Sequence, residues 1–324
     1  MIDDRSVSVC VPTHNPNLAH LEALLTSVAE QAFGPVEVVV SDDASTNRLA
    51  LEKFVKNSPI SVNWSVSEER LGMVRNWNRA VGLATGKYVL VPGQDDVLDK
   101  RCVEYLWAMA EDHDLSLVVG LEDYLTGDGK ARTNPRHSIS ISAVFPLCDL
   151  LLAPVELLSL GLVYGIIMAD PCAALIRRDV FERLGGFSEE FDHAADLEFW
   201  LRVAAAGFTV GRCKQTVALR RIHESNETRS HVASGLAHSD RLKLHQRFGT
   251  QVADPYVWNR SVARLYSHMF YDFVCGNGKG GVSELNKIGL RGDVGTRFRA
   301  FMDEVLESFS LGQPYGRKLL SASH

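Results

Sequence analysis

The sequence predicts an α/β fold in which a mostly parallel central sheet is flanked by helices and followed by a helical C-terminal extension. Three observations point there. Residues 7–11 and 36–41 are short, valine-rich runs suited to strands buried on both faces. Between them, residues 18–32 set Leu21, Leu24, Leu25 and Val28 on one helical stripe. The same alternation of strand and helix patterns continues to residue 120, as in a parallel sheet with crossover helices.

Taken in order, the opening β-α-β is followed by helices at 48–56, 73–84 and 99–112, which alternate with strands at 60–66, 88–92 and 115–120. Asp99 is expected to cap the last of these helices. From 127 to 142 the chain is polar and turn-rich, a loop. Residues 150–168 approach the length of a membrane span, but Pro154, Glu156 and two glycines interrupt them, so buried or interfacial helices are expected. A strand at 172–177 leads into a helix capped by Asp179 and closed by Gly185 and Gly186. A further helix, 196–206, ends at Gly207, and beyond residue 230 the pattern is largely helical, clearest at 257–274, with a glycine-rich break at 276–281. The expected division is a domain over 1–230, in halves 1–125 and 126–230, and a helical extension over 231–324.

Composition narrows the function. With 46% hydrophobic and 23% charged residues over 324 positions, the chain can build a core, which excludes disordered, collagenous and coiled-coil classes. Basic residues number 34 against 40 acidic ones, a net charge of -6, so no nucleic-acid partner is expected and an anionic ligand must be held locally. Cys10, Cys102, Cys148, Cys172, Cys213 and Cys275 form no C-x-x-C pair and read as free thiols in a reducing compartment. The acidic start Met1-Ile2-Asp3-Asp4-Arg5 is unlike a signal peptide, and a cytoplasmic location is expected.

Acidic groups stand where strands should end. Asp42 and Asp43 follow the strand at 36–41, and Gly93-Gln94-Asp95-Asp96 follows the strand at 88–92. Either pair alone fits an ordinary turn or cap, because Asp is common in both. Two pairs at equivalent ends of one sheet instead suggest carboxylates that hold Mg²⁺ or Mn²⁺ against a diphosphate. Neither G-x-G-x-x-G nor the Walker pattern occurs, which weakens dinucleotide and NTPase readings. A third acid, Asp196, opens a helix, where it reads as an N-cap or as a carboxylate kept ionised by the helix dipole and available as a proton acceptor. His223 follows the last strand-like run and could join a metal site. His231, His238 and His245 recur every seven residues and read as helix-face residues.

These segments resemble the inverting glycosyltransferases of family 2, which have the GT-A fold. Val9-Cys10-Val11-Pro12-Thr13-His14-Asn15 is similar to that family's first strand and turn, and Val38-Val39-Val40-Ser41-Asp42-Asp43-Ala44-Ser45 to its second. Residues 71–89 resemble its helix leading into the metal-binding strand, and Gly185-Gly186-Phe187 with Ala195-Asp196-Leu197-Glu198 its catalytic segment. The likeness spans residues 6 to 226 in the right order.

The resemblance implies that residues 1–125 are the nucleotide-binding half, with Pro12, Thr13, Asn15, Asp42, Asp43, Asn78 and Gln94 around the nucleotide, Asp43 facing the base. Asp95, Asp96 and His223 would serve a divalent metal ion, Mn²⁺ or Mg²⁺, and Asp196 would be the general base. The donor would be a nucleotide-diphosphate sugar, a UDP-sugar by preference, and the acceptor a saccharide or lipid-linked saccharide of cell-surface polysaccharide assembly. Two departures stand out: Gly93 replaces the first acid of the family's D-x-D triplet, and Ala195-Asp196 replaces its Glu-Asp pair. A peripheral membrane contact through 150–168 and a homodimer through the tail stay open. So does a non-catalytic nucleotide-sugar-binding protein, for which the missing acid at Gly93 argues. A nucleotidyltransferase is disfavoured, because Pro12-Thr13-His14-Asn15-Pro16 is not a glycine-rich basic loop.

Overall fold

The computed structural model describes residues 6–126, 129–133, 149–164, 170–223, 231, 234 and 236–252. The expected helix at 257–274, the break at 276–281, Cys148 and Cys275, and the side chain of His238 lie outside the described residues. The strands are β1 (Val7–Thr13), β2 (Val36–Asp42), β3 (Asn63–Val66), β4 (Tyr88–Leu90), β5 (Val97–Leu98), β6 (Leu117–Thr126), β7 (Ala131–Arg132), β8 (Leu150–Leu152), β9 (Ala174–Arg177) and β10 (Val210–Ile222). The helices are α1 (Leu18–Ala29), α2 (Arg48–Lys56), α3 (Met73–Gly82), α4 (Cys102–Asp112), α5 (Pro154–Tyr164), α6 (Arg178–Leu184), α7 (Ala195–Ala205) and α8 (Leu236–Phe248).

One sheet runs in the order β3-β2-β1-β4-β9-β6-β10-β5, with β7 beside β6 and β8 beside β10. Its first half is parallel, as the alternating pattern predicts: Val9 pairs with Val38 on one side and Leu90 on the other. The second half is mixed, because β9 runs antiparallel to both β4 and β6. That reversal matters for the site. The start of an antiparallel strand lies at the same sheet edge as the carboxyl ends of its parallel neighbours, so residues 170–173 arrive where β1, β2 and β4 finish.

Side-chain alternation builds two cores. Val7, Val9 and Val11 of β1 face α1, whose Leu21, Leu24, Leu25 and Val28 form the buried stripe read from the sequence, while Cys10 faces the other layer. That second layer contains Phe181, Phe187, Phe199 and Trp200, with the Phe181 and Phe199 rings stacked at 4.9 Å. Cys10, Cys102, Cys172 and Cys213 are buried free thiols, and burial pushes the Cys10 thiol up.

Three expected caps are corrected. Asp99 closes a turn before α4, its carboxylate accepting from Arg101 N at 2.8 Å and its carbonyl from Cys102 N at 2.9 Å, so the helix begins at Cys102. Asp179 lies inside α6 and takes the Arg177 guanidinium at 2.8 Å. Asp196 is inside the first turn of α7, which starts at Ala195. Gly185, at φ 79°, does close α6. The described part of the apolar stretch, 150–164, is a strand and a helix: β8 pairs with β10, and α5 buries Leu157, Leu158 and Leu162. Gly161 lets α5 approach α7 closely, since a Cβ there would stand 2.6 Å from Leu201 Cδ2. No helix among the described residues is long and apolar enough to cross a membrane.

Candidate active site

A cavity of about 500 Å³ opens at the carboxyl edge of β1, β2 and β4. Pro12, Thr13, Asn15, Asp43, Gln94, Asp95, Asp96, Asp196 and His223 line it. Asp42 and Asn78 do not. Asp42 is wholly buried at the end of β2, where its carboxylate accepts from Thr13 Oγ1 at 3.2 Å and Ser45 N at 3.1 Å and so shapes the turn. Asn78 is spent on Phe187, donating to its carbonyl at 2.8 Å and accepting from its N–H at 2.7 Å. Two residues earlier on α3, Asn76 reaches the cavity and ties Thr13 and Ser41 together through their carbonyls, at 3.2 and 3.0 Å.

The parallel half supplies a stiff rim. The Asp43 carboxylate accepts from Arg70 Nη1 at 2.7 Å, Leu71 N at 2.5 Å and Gly72 N at 2.9 Å, which fastens the segment before α3 to the end of β2. These three bonds use most of the accepting capacity of a carboxylate that is itself 1% exposed. Asn15, at φ 43°, takes the left-handed conformation that Asn tolerates and accepts from Thr46 N at 2.8 Å. Gln94 bridges the turns after β1 and β4, accepting from His14 N at 2.9 Å and donating to His14 O at 3.3 Å.

At the end of β4, Asp95 Oδ2 meets His223 Nε2 at 2.6 Å. Asp96 turns back, accepting from Gly93 N at 2.8 Å and from Arg221 N at 3.2 Å. Glycine at 93 permits this turn, since a Cβ would lie 2.9 Å from Asp96 Oδ2. Among the described residues no group of three or more His, Cys, Asp or Glu is arranged to hold a metal ion. One carboxylate and one imidazole nevertheless suit a divalent ion that takes its other ligands from phosphate oxygens and water, and Asp95 and His223 are such a pair.

Asp196, also in the cavity lining, is 6% exposed, with Oδ1 accepting from Leu197 N at 2.7 Å. Burial, and then the nearby Asp170, push its carboxyl up to about 7, against the opposing pull of that N–H and of Arg220. The helix start therefore does not keep it fully ionised, because desolvation outweighs the dipole. Asp170 pairs with Arg220 at 2.8 Å. Behind them Glu122, pushed up chiefly by burial and next by Asp170, accepts from Asp170 N at 3.2 Å.

Sequence reasoning missed Asp170, Arg220, His193 and His231 as cavity residues. A lone acid at the junction of the apolar stretch and a strand was the one available signal for Asp170. His231, expected on an ordinary helix face, stands 5.9 Å from the His193 ring. Burial and this neighbour lower the His193 imidazole to about 4, so it is neutral at physiological pH.

Residues 8–185 match the family model described as Glycosyl transferase family 2. Among characterised sequences the chain is similar to the O-antigen chain rhamnosyltransferase WbaN of Salmonella anatum, 24% identical over 256 residues, which are 75% of this chain and 76% of that protein. It is 27% identical over 209 residues to the uncharacterized protein MT1568 of Mycobacterium tuberculosis, and spans 61% of that protein's length. Among solved structures it shares its fold, at a TM-score of 0.59 and 17% identity over 94% of this chain and 80% of the other, with the mannosyltransferase PcManGT of Pyrobaculum calidifontis in complex with GDP-Man and Mn²⁺.

Proposed function

Because the chain belongs to glycosyl transferase family 2, we propose that it transfers a sugar, with inversion, from a nucleotide-diphosphate sugar to a saccharide or lipid-linked acceptor in cell-surface polysaccharide assembly. The observation that supports the proposal is that Asp95 and Asp196, far apart in sequence, line one cavity. Pro12, Thr13, Asn15, Asp43 and Gln94 line the part of the cavity against which the nucleotide would lie, with Asp43 on the side of the base. Asp95 and His223 would hold a divalent ion, Mn²⁺ or Mg²⁺, which when bound offsets the charge growing on the departing diphosphate.

The chain's own groups do the rest. Asp196 in its ionised form accepts the acceptor's hydroxyl proton as the oxygen bonds to the anomeric carbon. The bond from that carbon to the diphosphate oxygen breaks, and its electron pair leaves with the diphosphate. One displacement with base and leaving group on opposite faces inverts the centre. With a carboxyl near 7, Asp196 combines a useful ionised fraction with a strong proton affinity, the compromise a general base needs at neutral pH.

UDP is our first choice of nucleotide, and the complex of PcManGT with GDP-Man makes GDP its nearest rival. A thermal-shift panel of UDP, GDP, dTDP and CDP, each with and without Mn²⁺, tests both choices, because a ligand stabilises the fold with the logarithm of its excess over Kd. A metal-dependent shift with UDP is expected. No shift with any of the four would overturn the proposal. The location that goes with it is the cytoplasmic side, where nucleotide sugars are supplied.

A further inference from the structure

Helix α8 grips the segment that carries Asp196, and it does so from beyond the family match, which ends at residue 185. Asp240 is fully buried, and its Oδ2 accepts from the backbone N–H of His193 at 2.8 Å and of Ala194 at 3.2 Å. Its Oδ1 accepts from Lys243 Nζ at 3.0 Å, and the same ammonium donates to the Glu190 carbonyl at 2.7 Å. One turn on, Arg247 donates to Glu198 Oε1 at 3.0 Å and pairs with Glu190. Residues 240, 243 and 247 share one helix face. Beneath that face the Phe191 ring lies 5.4 Å from the Lys243 ammonium and 5.0 Å from the Arg247 guanidinium.

The grip falls just before α7, on the N–H groups of residues 193 and 194. Residue 194 at its N-cap is alanine and offers no side-chain acceptor, so within the first turn Leu197 N is taken by Asp196 and the N–H of residue 194 itself by Asp240. Asp240 supplies an anion there from a neighbouring helix, at the end of α7 where the dipole favours one. An acid serving only as the partner of Lys243 would not aim its second oxygen at two successive backbone N–H groups.

We propose that Asp240 is a positioning residue that fixes the 190–195 turn and thereby sets where the Asp196 carboxylate stands in the cavity. The first helix of the C-terminal extension is then part of the catalytic apparatus. This rests on Asp196 being the base, as argued above, and acts through backbone geometry, with no contact to substrate.

The test uses the full chain with Asp240→Ala, Asp240→Asn and, as reference, Asp196→Asn. Amide exchange over 190–196 is read without substrate. Turnover is read as release of UDP from UDP-glucose and UDP-N-acetylglucosamine and of GDP from GDP-mannose, in Mn²⁺. Titration gives Kd for UDP and GDP. Asp240→Ala should speed exchange at 193 and 194 and lower kcat on the order of 10²-fold, a typical cost of sub-ångström to ångström misplacement, with nucleotide Kd unchanged. Asp240→Asn keeps an oxygen for both N–H groups and should recover kcat to within about tenfold of wild type, with weaker bonds and faster exchange than wild type. Wild-type exchange in Asp240→Ala overturns the inference. So does wild-type kcat in that variant when Asp196→Asn is inactive, and so does a parallel loss of nucleotide binding and kcat in both Asp240 variants. If the alanine variant does not fold, Asp240→Asn decides: faster exchange at 193 and 194 supports the inference, wild-type exchange ends it. Full turnover in Asp196→Asn would instead remove the base assignment, whatever the Asp240 variants do.

Discussion

Nε2 of His223 stands 2.6 Å from Oδ2 of Asp95, although 128 residues separate them in sequence. The contact is part of a seam. Arg221 N donates to Asp96 Oδ1 at 3.2 Å, and the Arg221 guanidinium donates to the Asp95 carbonyl at 2.9 Å, so two alternate residues at and just past the end of β10, Arg221 and His223, stitch the turn after β4 in place. The pairing of β10 with β6 shifts register between Arg212 and Ala218, before this seam.

If Asp95 and His223 hold the ion together, His223→Ala should weaken the Mn²⁺-dependent part of nucleoside diphosphate binding by about 10–100-fold, the usual range for loss of a supporting group at a metal site. Binding measured in EDTA should not change. Asp95→Ala should lower both binding and rate, because charge on the leaving diphosphate increases in the transition state. Calorimetric titration of UDP with Mn²⁺ and with EDTA reads the difference, and equal affinity in the two buffers for wild type would contradict it.

Asp196→Asn should cut turnover by about 10²–10⁴-fold and leave nucleotide affinity nearly unchanged, the range general-base catalysis usually supplies. In wild type the base must be ionised. With its carboxyl raised to about 7, turnover should climb between pH 6 and 8 and level off above that. A rate that is flat across this interval, with the chemical step limiting, would rule out Asp196 as the titrating base.

The same burial has an opposite effect on stability. Between the ordinary carboxyl value and about 7, folded Asp196 binds more proton than the unfolded chain does, so its contribution to stability falls as pH rises through that interval. Asp196→Asn should therefore raise Tm at pH 8 by a few degrees and change it less at pH 5. Thermal unfolding at the two pH values checks the sign. A variant that is less stable at pH 8 would mean the carboxylate is better solvated or paired than its burial implies.

Asn78→Ala should cost about 1–3 kcal/mol of stability, since it leaves the Phe187 N–H and carbonyl without their partner. Gly186→Ala should do comparable damage, its Cβ falling 2.2 Å from Asn78 Oδ1. Denaturant unfolding measures both. A selective loss of nucleotide affinity at full stability in Asn78→Ala would restore the nucleotide contact that the family resemblance implies for this residue.

The parallel half of the fold was legible because its residues obey local rules. Valine runs, the Leu21–Val28 stripe and glycines at helix ends each act over a few residues, and Asp43, Asp95 and Asp196 stood at recognisable strand or helix ends. The reversal of β9 was less legible, because a short apolar strand reads the same in either direction. The 150–168 stretch was misread as helices alone because β8 is only three residues long and owes its form to pairing with β10. Asp99 and Asp179 look like caps in sequence, yet each is drawn to a different donor by neighbours that a capping rule does not see.

Sequence by itself determined the layered α/β build and the kinds of groups at its strand ends, since backbone propensity and side-chain periodicity are local properties of the chain. Only the tertiary structure decided that Asp170 and Arg220 lie beside Asp196, that Asn78 faces Phe187 and not the cavity, and that Asp240 reaches the turn before α7. Those are contacts between distant segments, and the desolvation that raises the Asp196 carboxyl exists only once several of them close around it.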